Sequence, residues 1–295
     1  MQGYVATIGM FDGVHLGHQF VLRQVVEKAR QLGLQSLCIT FDHSPRCEQV
    51  LTSLDQKLSL IRQTGIDRCE VLSFTPELKA LTAQQFMEQV LKRQLGVKVL
   101  LTGYDNRFGR NREEGFEDYV RYGRELDIEV FGLPAEGNTS STYIRQLLLG
   151  GNVAEATASL GHPYTITGRV THGEHVGTRL GYPTANLIPA DSHQLIPAGG
   201  VYAVWVGIDS TQGSGNNAEL TSKLERGMMN IGTRPTFGVH AQTLEVHLLD
   251  YSGDLYNRQL TITFVSRLRE EQHFDSPEAL IEQLKEDTIQ TKQLL

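Results

Sequence analysis

The chain has 295 residues, enough for two domains of ordinary size, each burying a core of its own. It is 40% hydrophobic and 21% charged, as soluble globular proteins are, and its net charge of -7 argues against nucleic acid as the main partner, since backbone phosphates call for a Lys/Arg excess. The first ten residues lack the basic start and apolar run of an export signal, and no apolar stretch nears the ~20 residues that span a bilayer. A cytoplasmic location with no membrane partner is therefore expected. Cys38, Cys47 and Cys69 are odd in number and lack metal-ligand spacing, so they read as reduced thiols.

In chain order, apolar and β-rich runs fall at 4–11, 35–41, 68–74, 97–104 and 128–133. Amphipathic helical patterns lie between and after them, at 18–31, 54–64, 82–95, 116–126 and 140–149. This alternation predicts a mainly parallel, Rossmann-like sheet with helices on both faces. From about Tyr164 the rhythm changes to short β-branched and aromatic segments such as YTITGRV, GVYAVWVGI, TLEVHLL and QLTITFVSRL, separated by turns. They predict an antiparallel β-barrel. Residues 211–223 read as a hairpin loop, and 276–292 as a terminal helix capped by Ser276 with Pro277 in its first turn. The expected fold is α/β plus β, with domains at 1–160 and 161–295. The sequence sets no oligomeric state.

The string TIGMFDGVHLGH, residues 7–18, stands where the first strand should give way to the first helix. His15 and His18 are three apart, so both imidazoles share one face of that helix start. The free N–H groups and dipole there favour an anion, and Gly9, Gly13 and Gly17 let backbone approach it. Taken alone, HxGH is as readily a glycine turn with two surface histidines; its place at a strand-to-helix junction favours phosphate chemistry. Later, Ser140, Ser141 and Thr142 open another helix, with Arg145 one turn on. Those hydroxyls serve equally as helix caps or as phosphate ligands.

The pairing of HxGH with SSTxIR resembles the nucleotidylyltransferase superfamily, and GxFDGVHxGH resembles the adenylyltransferase module of bacterial FAD synthetases. That resemblance implies in-line attack of the FMN phosphate on the α-phosphorus of ATP. Gly9, Phe11, Asp12, His15 and His18 would bind ATP and its transition state, while Ser141, Thr142 and Arg145 would hold the leaving phosphates. Residues 103–109, GYDNRFG, resemble the family's GxDFxFG with Asn106 in place of Phe, which makes Asp105 and Arg107 candidate nucleotide or FMN contacts. The family's TFxPHP appears as TFDHSP, with Ser44 at the histidine position and His43 one place early. These two departures leave open a chain that is chiefly a kinase.

In the β-rich half, Gly168, Gly173 and Gly177 space a turn that runs into GYPTAN, residues 181–186, and are candidate ATP or riboflavin contacts, since a glycine-rich loop followed by Thr and Asn can surround polyphosphate. Such glycines are commonly hairpin turns, but GYPTAN closely resembles the riboflavin kinase signature, and NIGTRPTF at 230–237 resembles a second element of that family. On strict alternation Glu245 and His247 share a face opposite Leu244, Val246 and Leu248. The resemblance makes Glu245 the general base for the ribityl 5′-hydroxyl, with Thr184 and Asn186 holding Mg2+ and ATP. Pro183, Asn230, Arg267 and Arg269 are further ATP or riboflavin contacts on the same grounds. The expected activity is riboflavin phosphorylation to FMN followed by adenylylation to FAD. It uses ATP as co-substrate and Mg2+ as cofactor, and riboflavin, FMN and ATP are the small-molecule partners.

Overall fold

The computed structural model describes residues 3–43, 48–103, 106–134, 137, 139–171, 181–209, 224–236 and 239–295. Ser44, Asp105, Gly173, Gly177 and the 211–223 segment lie outside the described residues. The chain divides into two compact units, Met1–Ser141 and Thr142–Leu295.

Among the described residues of the first unit, five strands form one sheet in the order β3-β2-β1-β4-β5, every pairing parallel. They are β1 (Tyr4–Ile8), β2 (Gln35–Phe41), β3 (Arg68–Leu72), β4 (Val97–Thr102) and β5 (Glu129–Gly132). The apolar runs are continuous because helices cover both faces. Along β1, Val5 joins one core with Leu22, Val25 and Ile61, while Ala6 and Ile8 join the other with Phe86, Leu91 and Leu100. The connecting helices are α1 (Leu16–Leu32), α2 (Leu54–Gln63), α3 (Pro76–Ala80), α4 (Ala83–Phe86), which continues as a π-helix over Met87–Gln94, and α5 (Phe116–Glu125). The chain leaves β1 toward β2 and β3, then returns to pair β4 on the other side. Sheets of this order bind ligands where the direction reverses, beyond the carboxyl end of β1.

In the second unit α6 (Ser141–Leu149, its first residue belonging to the first unit) and α7 (Val153–Leu160) precede a closed barrel ordered β10-β7-β6-β11-β8-β9. Its strands are β6 (Thr165–Thr171), β7 (Ala185–Pro189), β8 (Gly200–Ile208), β9 (Leu224–Thr236), β10 (Val239–Leu248) and β11 (Gln259–Arg269), paired antiparallel throughout. Alternate residues fill the interior: Ile166 and Val170 on β6, Leu260, Ile262 and Phe264 on β11, Leu244, Val246 and Leu248 on β10. Gly168 is buried where a Cβ would stand 2.6 Å from the Ile188 carbonyl oxygen, so close strand approach requires glycine there.

The terminal helix α8 (Pro277–Leu294) begins as expected, Ser276 Oγ accepting the Ala279 N–H at 3.2 Å with Pro277 in the first turn. Arg269 grips Asp287 with Nε and Nη2 at 2.9–3.1 Å, fastening α8 to β11. Two short helices, α3 and α7, were not expected from periodicity. α3 has only five residues, too few for a repeating face, and α7 is small-residue-rich.

Candidate active sites

The loop from β1 to α1 sits at the switch point of the parallel sheet. His15 is the N-cap of α1: its backbone is extended and its Nδ1 accepts the His18 N–H at 3.4 Å. A ring nitrogen that accepts is unprotonated, so the neutral His15 tautomer carries its proton on Nε2. The two rings stack, with centroids 3.6 Å apart and planes 21° from parallel. Phe11 closes the far side, edge-on to His18 at 5.3 Å. Three residues of this loop have positive φ: Phe11 at 49°, Gly13 at 79° and Val14 at 38°. For Phe and β-branched Val that region is strained, so surrounding contacts must impose it.

Those contacts come from the segment before α2. Asp12 Oδ1 accepts the N–H groups of Leu51 and Thr52 at 2.9 and 3.4 Å, and Gly13 N–H donates to Thr52 Oγ1 at 3.2 Å. Ser141 Oγ donates to the Asp12 carbonyl at 3.0 Å, bringing the start of α6 to the same loop. The Asp12 carboxylate thus works at least in part on the loop's own backbone. Asn106 donates through Nδ2 to the Ile8 carbonyl at the end of β1, so this departure from the family pattern has a local partner. Arg107 is exposed. Thr142 is exposed and Arg145 half-buried on α6, in the second unit.

His18 is half-buried with Nδ1 fully enclosed and unpartnered among the described residues. Burial holds its pKa well below the ordinary 6.5, and the His15 and Lys57 charges push the same way. A lowered folded value means the folded state binds fewer protons than the unfolded chain. Stability from this group is therefore complete above pH 6.5 and lost as pH falls through the folded value. The depressed carboxylate Asp67, held down first by the Ser36 hydroxyl, loses its contribution only below 3.8. Melting of the first unit is expected to drop as pH falls below 6.5, and His18→Gln should flatten that drop. Equal slopes for both proteins in calorimetry would remove His18 as the cause.

The second cluster lies on the outer face of the barrel. Glu245 on β10 is in register with Asn186 on β7 and Asn230 on β9, so the three side chains form a row across adjacent strands. Leu244, Val246 and Leu248 are buried on the other face, as alternation requires, whereas Glu245 and His247 are half-buried. Thr184 Oγ1 stands 3.4 Å from Glu245 Oε2. His247 pins the turn before it, its Nδ1 donating to the Pro183 carbonyl at 2.7 Å and its ring set against Tyr182. The structure thus brings together Thr184, Asn186, Asn230 and Glu245. It places Arg267 on the Gly199 carbonyl and Arg269 on Asp287.

Sequence reading missed Lys57 and His247 as parts of these sites. Lys57 had a legible signal: it lies three residues after Leu54 and four before Ile61, on the apolar face of α2. His247 had a weaker one, sharing the strand face of Glu245. The Asp12–Leu51–Thr52 contacts join segments some forty residues apart and left no mark in local sequence.

A strained loop at a parallel-sheet switch point, and on a barrel a carboxylate flanked by hydroxyl and amide groups, are arrangements suited to a two-unit, nucleotide-dependent transferase. The profile of the FAD synthetase family matches residues 1–144 and that of riboflavin kinase residues 160–295. The bifunctional riboflavin kinase/FMN adenylyltransferase of Escherichia coli K12 is 37% identical over 99% of this chain and 93% of its own. That of Pseudomonas fluorescens is 37% identical with the same coverage. A crystal structure described as a macrolide-efflux protein from Streptococcus pneumoniae matches with TM-score 0.87 and 31% identity, covering 99% of this chain and 95% of that one. Among the described residues here, no helix is long and apolar enough to cross a membrane. The chain belongs to the bifunctional riboflavin kinase/FMN adenylyltransferase family.

Proposed function

We propose that the family's two reactions are divided between the two halves, adenylyl transfer in 1–160 and riboflavin phosphorylation in 161–295, in a cytoplasmic enzyme. In the barrel, the Glu245 carboxylate takes the proton from the ribityl 5′-hydroxyl as its oxygen attacks the γ-phosphorus of ATP. The products are FMN and ADP. Thr184 and Asn230 flank the carboxylate and orient the reacting groups, and Pro183 fixes the turn that carries Thr184. In the parallel-sheet unit, an FMN phosphate oxygen attacks the α-phosphorus of a second ATP, and pyrophosphate leaves as FAD forms. His15 and His18 donate to the phosphates from the start of α1, and Ser141 holds the leaving group. No enzyme nucleophile takes part in either transfer.

The observation that carries this reading is the Asn186–Glu245–Asn230 row with Thr184 at 3.4 Å, a proton acceptor among groups that bind oxygen-rich ligands. Mg2+ fits the same donors. Thr184 and Asn186 offer neutral, hard oxygens, suited to a cation that keeps phosphates and waters as its other ligands. When bound, Mg2+ neutralises and orients the polyphosphate.

ATP labelled separately at the α- and γ-phosphorus tests the division. γ-Label should appear in FMN and α-label in FAD, each requiring riboflavin or FMN respectively. Label in FMN with none reaching FAD from supplied FMN would leave the kinase reaction alone.

A further inference from the structure

We propose that Lys57 is a positioning residue for adenylyl transfer: it holds the strained β1–α1 loop in the shape that presents His15 and His18 to nucleotide. This rests on placing adenylyl transfer at that loop. Lys57 lies on α2 with 5% of its surface exposed, on the helix face that buries Ile61. Its Nζ donates to the Phe41 carbonyl at 2.6 Å and to the Met10 carbonyl at 3.4 Å. Phe41 ends β2, and Met10 lies two residues beyond β1, so one ammonium ties the carboxyl edges of two neighbouring strands. Thr40 Oγ1 reinforces the Met10 carbonyl at 3.2 Å.

The residues after Met10 are those with positive φ, Phe11, Gly13 and Val14. Strained backbone persists only where its surroundings over-determine it. On one side Asp12 and Gly13 are held by Leu51 and Thr52; on the other, Met10 is held by Lys57. The cap of α2, Ser53, joins these two anchors, since it follows Thr52 and precedes Lys57 by four residues. Burial lowers the Lys57 pKa, and the charges of Asp12 and Asp42 oppose that shift by favouring the ammonium. A Met or Leu would fill the same place on the apolar face without the cost of burying an ammonium. What only the ammonium supplies is a donor to two carbonyls at the ligand edge of the sheet. Because Nζ is engaged beneath the loop, it acts through the loop and not on substrate.

Lys57→Met keeps the length and removes charge and donors. It is expected to lower kcat for FMN adenylylation by about 10²-fold, the scale of an ångström of misplacement, with KM for FMN changed far less. Amide exchange at Gly13, Val14 and Leu51 should accelerate at least ~10-fold, while the sheet amides of Ala6, Leu37 and Leu100 stay protected. The proposal is overturned if kcat stays within about twofold, if kcat falls with loop exchange unchanged, or if sheet and loop lose protection together, which would make Lys57 a plain core residue. His18→Ala run in parallel separates the two claims. Its retention of full FAD synthesis would remove the site assignment itself, whereas its loss beside an active Lys57→Met protein removes only the role of Lys57.

Discussion

In Glu245→Gln, riboflavin phosphorylation is expected to fall by about 10²–10⁴-fold, the usual contribution of a general base, while supplied FMN is still converted to FAD at the parental rate. Glutamine keeps the volume of the side chain and an oxygen that accepts from Thr184, which lies 3.4 Å from Glu245 Oε2. It removes only the capacity to take a proton. The in-register neighbours Asn186 and Asn230 are uncharged, so neither substitutes as base. KM for ATP should change little, because the carboxylate is assigned to the acceptor hydroxyl. The check is steady-state turnover with riboflavin and with FMN as separate substrates, products resolved chromatographically. Phosphorylation within a few-fold of the parent would remove Glu245 as the base.

His18→Ala is expected to do the reverse, lowering FAD formation from FMN by about 10²–10³-fold, the scale for losing one donor to a developing charge, and leaving FMN formation intact. His18 is a better probe than His15. His15 caps α1, and removing an N-cap costs about 1 kcal/mol of helix stability, so its variant mixes folding with chemistry. Burial lowers the pKa of His18, and an incoming phosphate would supply the favourable charge that opposes this shift. Each variant serves as the folding control for the other half of the chain. Loss of both reactions in either folded protein would end the case for separate sites.

Local sequence carries the two fold classes and the residue types offered as candidate sites. Continuous apolar runs such as QSLCITF imply strands covered on both faces, and the alternation in TLEVHLL places Glu245 opposite Leu244 and Val246. Motif spacing also set His15 and His18 on one helix start, because three residues are close to one turn. These properties are local, governed by backbone periods of 2 and 3.6 residues.

Which distant segments meet is a matter of three-dimensional packing. The pairing of Glu245 with Asn186 and Asn230 depends on strand register in a closed barrel, which no single segment encodes. Likewise Lys57 meets Met10 and Phe41, and Asp12 meets Leu51, through crossovers of the parallel sheet. The guanidinium of Arg269 lies on Asp287 because α8 packs against β11 and offers a buried carboxylate. Buried charges are settled by the partners that folding supplies, and those partners are fixed by three-dimensional packing and not by proximity in the chain.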